Sequence, residues 1–122
     1  MLLYIFAFSL FLVLDILFLY TNRNFFELQV IDVQRVSIKM NYASAFAAYI
    51  ILTFGLYWFI LKNRRPVIDA ILLGGLINGT YELTNMSLLK KWHLKTVLLD
   101  TAWGAFLWGF TVYITYLVFP RK

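Results

Sequence analysis

The sequence contains no cysteine. Disulfides, thiolate metal sites and thiol nucleophiles are therefore excluded, and the redox state of the compartment cannot be read from the chain. Histidine occurs once, as His93 beside Trp92. A lone histidine at a membrane edge is more often a headgroup or backbone contact than a catalytic base. Charge is scarce as well: 14% of the residues are Asp, Glu, Lys or Arg, against roughly 25% in soluble domains. There is no phosphate loop, no Ser-His-Asp order and no HExxH spacing, so neither an enzyme nor a bound cofactor is expected. Internal repeats and low-complexity tracts are absent too.

Apolar residues dominate, making up 62% of 122 residues. A chain of this length has room for one domain, and a small soluble domain has too little interior to hide so much apolar surface. A lipid bilayer, acting as the solvent, removes that difficulty. The expected fold class is all-α: a polytopic membrane protein with one transmembrane domain over residues 1–122. Its spans are expected at about 2–20, 42–61, 67–85 and 94–119. Each approaches or exceeds the roughly 20 residues that cross a hydrocarbon core of about 30 Å. The first run lacks a basic leader and a small-residue cleavage site, so it reads as a retained helix and not as a signal peptide. Between the first and second spans, residues 21–40 mix Arg23, Glu27, Asp32, Arg35 and Lys39 with Phe25, Phe26, Leu28 and Val30. Neither helical nor strand periodicity prevails there, and an interfacial segment lying on the membrane is expected.

The formal charge of +5 does not imply nucleic acid. Its basic residues are clustered between apolar runs, as at Lys62, Arg64 and Arg65, at Lys90, Lys91 and Lys95, and at Arg121 and Lys122, the pattern of headgroup anchors. With the 62–66 turn and both termini on one side, the cations divide almost evenly between the two sides. The positive-inside rule therefore assigns no orientation. Pro66 suits the start of the third span. Small residues four apart, Ala43 with Ala47 and Ser44 with Ala48, and the GxxxG spacing of Gly75 and Gly79, suggest close helix packing. Four helices form a thin shell around any pathway, so a homo-oligomer or another membrane protein partner is the natural way to complete one.

Three carboxylates interrupt the apolar runs: Asp15, Glu82 and Asp100. An acid at mid-helix costs roughly 2.5–3.5 kcal/mol on insertion scales, so such residues default to a functional reading. With the alternation of spans, all three fall in the same leaflet, towards the 21–40 and 86–94 segments. Asn78, Glu82 and Asn85 share a helix face through spacings of four and three, as do Asp100, Trp103 and Gly104. Tyr81 and Thr84 add hydroxyls beside them, and no Lys or Arg lies well inside a span. Acids that share a desolvated pocket titrate as a coupled set, so the cluster is expected to take a proton or a cation, the identity of any metal being open. A hydrogen-bonded clasp that fixes helix packing accounts for the same residues equally well.

The stretch Gly79-Thr80-Tyr81-Glu82-Leu83-Thr84-Asn85, then Lys91-Trp92, then Asp100-Thr101-Ala102-Trp103-Gly104, resembles the signature of domain of unknown function 2177, a family of small membrane proteins. Asp15, Asn24-Phe25-Phe26, Tyr49 and Gly55 extend the resemblance over nearly the whole chain. Two positions depart from it: Glu82 stands where the family usually has Asp, and Ser87 where a small apolar residue is common. The resemblance implies a four-helix membrane fold and weight on Asp15, Glu82, Asn85, Asp100 and Trp103. It implies no activity. Such sequences occur in bacteria and in some large DNA viruses, so a bacterial inner membrane or a viral or host internal membrane is the expected location. Two functional expectations stand: proton- or cation-linked transport or sensing, and a non-catalytic structural or assembly role in a membrane or viral envelope.

Overall fold

The computed structural model describes residues 2–34, 41–89 and 91–120. Arg35, Lys39, Lys90, Arg121 and Lys122, which belong to the expected basic clusters, lie outside them. The described residues form helices α1 (Leu2–Thr21), α2 (Arg23–Gln34), α3 (Tyr42–Leu56), α4 (Val67–Leu88) and α5 (Leu94–Val118), with no strand among them. A π-helical turn over Tyr57–Leu61 continues α3. Among the described residues, three helices are long and apolar enough to cross a membrane: α1, α3 with its π-turn, and α5. The expected third span forms α4, but glycine, asparagine, threonine and glutamate dilute its apolar character, and it falls outside that set.

Residues 23–34 are helical, although their periodicity favoured no element. Local chemistry accounts for the helix boundaries elsewhere. Asn41 accepts the Ser44 N–H at 3.1 Å and caps α3, satisfying one donor that a helix start leaves unpaired. Pro66 occupies the N-cap of α4, and Asp69 in its first turn pairs with Arg65 at 2.7 Å, a favourable place for an acid.

α5 packs along α4 over its length, α1 packs against α5, and α3 packs against α1. The seam between α4 and α5 is set by glycine. A Cβ on Gly74 would press on the Gly104 carbonyl and stand 2.6 Å from Trp108 Cγ. One on Gly104 would stand 2.5 Å from Asn78 Cγ. Gly79 is buried against Thr101, but Gly75 has room, since a Cβ there would meet Ala105 Cβ at an ordinary 3.5 Å. The tightest approach thus lies one residue round the helix from the expected Gly75.

Phe11, Leu56, Ile60, Leu61, Ala70 and Trp108 form the centre of the core, towards the end that carries the 62–66 turn. There the Tyr116 hydroxyl donates to the Arg65 carbonyl at 2.6 Å, tying the turn to α5. Away from this end α3 and α4 do not pack together, and a cavity separates them. Ala43, Ser44, Ala47 and Ala48 are consequently exposed, so the small residues expected to bring α3 against another helix face outward. Large apolar side chains cover the periphery, as on α4, where Ile68, Leu72, Leu76 and Leu83 are more than half exposed.

Candidate intramembrane acidic site

The cavity between α3 and α4 has a volume of about 500 Å³ and is bounded by four helices. Asp15 from α1, Asn78 and Tyr81 from α4, and Asp100 from α5 line it, together with apolar residues of α3. Tyr49 of α3 donates its hydroxyl to Asp15 Oδ2 at 2.5 Å. Trp103 Nε1 donates to Asp15 Oδ1 at 2.8 Å, and its ring stacks on Phe18 with centroids 4.3 Å apart. Both oxygens of Asp15 are therefore held by uncharged donors, one from each neighbouring helix.

Glu82 lies behind the cavity wall, 3% exposed, and accepts Trp92 Nε1 at 2.8 Å. The Asp100 carboxyl meets that of Glu82 within hydrogen-bonding reach, and Asp15 is near enough to act on it electrostatically. Two like charges held so close repel one another, and a shared proton or a bound cation would relieve that repulsion. Asn78 Nδ2 donates to the Asp100 backbone carbonyl at 3.1 Å, so the amide braces α5 at the level of the acids. Tyr81 lines the cavity but is 60% exposed. Thr84 is exposed and Asn85 half-buried. Among the described residues neither bonds to a site carboxyl through its side chain, and no group of three or more His, Cys, Asp or Glu residues is arranged to hold a metal ion.

A second polar cluster adjoins the first and was not foreseen. Gln29 of α2, 3% exposed, donates to the Lys91 carbonyl at 2.8 Å. Its oxygen accepts from His93 N at 2.9 Å and from the buried Thr96 hydroxyl at 2.7 Å. One amide thus secures both the turn before α5 and the first turn of α5, where helix donors need partners. His93 Nε2 also lies 3.0 Å from Asp32 Oδ2 on α2. Trp92, the donor to Glu82, sits in the middle of this anchored turn. The recurrence of Phe25, Gln29 and Asp32 at intervals of four and three was the available signal, although its central residue is polar.

Long apolar helices with lipid-like exposure, enclosing paired acids, amides and indoles, define an α-helical membrane protein. The particular family follows from the sequence: the chain belongs to the family described as "Predicted membrane protein (DUF2177)", whose pattern matches residues 1–117. No curated protein and no solved structure matches it.

Proposed function

We propose that this is a four-span membrane protein whose acidic site binds a proton or a small cation, in transport or in sensing. Support for a fourth span comes from packing. The 22 residues of α4 extend about 33 Å at ~1.5 Å per residue, and the glycine seam keeps α4 alongside α5, itself long and apolar enough to cross. The exposed stripe of Ile68, Leu72, Leu76 and Leu83 gives α4 an outer face suited to lipid.

The observation that carries the functional reading is the 500 Å³ cavity with Asp15, Asn78 and Asp100 in its wall. A site that only joined helices would need no space beside its carboxylates. Thermal melts in lipid nanodiscs across pH and with added Na⁺, K⁺, Mg²⁺ and Ca²⁺ test the reading. Wild-type stability should respond to pH or to a cation, and Asp100→Asn and Glu82→Gln should each remove the response while still folding. A wild type flat in pH and blind to every cation would overturn the proposal.

A structural role has one specific observation in its favour, the saturation of Asp15 by Tyr49 and Trp103. On that reading Asp15 is a clasp between α1, α3 and α5, and neutralising it should leave any ion response unchanged.

A further inference from the structure

We infer that the cavity is a binding site for an amphipathic organic cation that enters sideways from the bilayer between α3 and α4. The inference rests on the proposed acidic site and names the class of ligand it takes. Its first basis is shape. A space of about 500 Å³ falls within the range of roughly 300–1,000 Å³ typical of small-molecule pockets, so it has room for a charged ligand larger than a bare ion.

Access is lateral. Ile51 of α3 and Tyr81 of α4 both line the cavity, and they are 70% and 60% exposed. They stand on the two helices that the cavity separates, so the mouth faces the side of the bundle. The interior is closed by Phe11 and Trp108, each 1% exposed. A molecule reaching the site therefore comes from the apolar phase and must carry apolar bulk.

The third basis is charge complementarity. The polar part of the wall consists of Asp15, Asn78, Tyr81 and Asp100, and among the described residues no Lys, Arg or His lines it. An anionic lipid or a fatty acid would find no cation there. A neutral acyl chain would strip water from the carboxyl groups and return no hydrogen bond, which is costly. A positive head on an apolar body satisfies both parts of the wall. The head sits near Asp100, which among the described residues has no indole or phenol donor on its oxygens, while the exposed ring of Tyr81 in the lining attracts a desolvated cation.

The test uses the full chain in nanodiscs of neutral lipid, with radiolabelled tetraphenylphosphonium as the probe and empty discs as background. Tetraphenylborate, of similar size and shape but opposite charge, is the control. Saturable binding of the cation and none of the anion is expected. Asp100→Asn should weaken binding by about tenfold or more. Ile51→Trp, which fills the mouth and leaves every carboxyl in place, should abolish it without lowering the melting temperature. Equal binding of both probes, or cation binding indifferent to Asp100→Asn and Ile51→Trp, overturns the inference. Absent binding in a wild type whose melt still responds to pH or to inorganic cations overturns the ligand class and leaves the acidic-site reading standing. A wild type that neither binds the probe nor responds in its melts overturns both.

Discussion

Asp15 receives a phenol from α3 and an indole from α5, and the two donors differ in what a substitution leaves behind. A hydroxyl can reverse its role and accept, but an indole N–H can only donate. Asp15→Asn can therefore keep Trp103 on its oxygen and turn its amide towards Tyr49, and should melt close to wild type. Asp15→Leu leaves both donors without an acceptor and should lose about 1–3 kcal/mol for each group left unmet. Thermal melts of the two variants in one detergent check the difference, and equal losses would mean that the charge, and not the hydrogen bonding, matters. The glycines allow a similarly sharp comparison. Gly74→Ala forces α4 away from the Gly104 carbonyl and Trp108 and should cost about 1–3 kcal/mol through overpacking. Gly75→Ala meets only ordinary contact and should be neutral or stabilising by about 0.5–1 kcal/mol. Spacing drew attention to Gly75 and Gly79, because it reports which residues share a face. Which of two adjacent glycines receives the neighbouring backbone depends on how the helices are rotated, and that was not legible.

α2 illustrates how an element can escape a reading based on hydrophobic period. Its one buried residue is Gln29, so the centre of its packing face is polar, although Phe26 packs on Phe18 beside it, and apolar spacing carries little information about it. The long apolar runs that became α1, α3 and α5 were legible because lipid imposes length and composition on them. The acids were legible for the opposite reason, as interruptions in those runs. Their donors were harder to see: Trp92 and Tyr49 are aromatic like much of the chain, and only their partners reveal them. α2 should also behave as a unit whose one buried tie is Gln29. Gln29→Leu removes the acceptor of the Thr96 hydroxyl and the His93 N–H together. Amide hydrogen exchange over residues 23–34 should then speed up by an order of magnitude or more, while the α4–α5 seam stays protected. Unchanged exchange in α2 would show that its aromatic contacts alone hold it.

For the molecule as a whole, the proposed four crossings place the 62–66 turn on the side opposite Lys91. Single cysteines at Asn63 and at the C-terminus should react with an impermeant thiol reagent from one side of sealed vesicles, and a cysteine at Lys91 from the other. Asn63 and Lys91 reacting from the same side would mean that α4 does not cross. The fold also has a mechanical asymmetry. α3 is held firmly where Ile60 and Leu61 are buried and Tyr116 grips the turn, yet its first residues stand clear of α4. It is a lever with its fulcrum at the turn. Tyr49 lies 12 residues before Leu61, about 18 Å at ~1.5 Å per residue. A tilt of about 10° on an arm of that length moves the Tyr49 hydroxyl by roughly 3 Å, more than the hydrogen bond to Asp15 can stretch. Among the described residues that bond is the outermost side-chain hydrogen bond between α3 and another helix. A tilt that carries Tyr49 that far from α1 therefore uncouples it from Asp15, so the angle of one helix is recorded as the presence or absence of one hydrogen bond on a carboxylate.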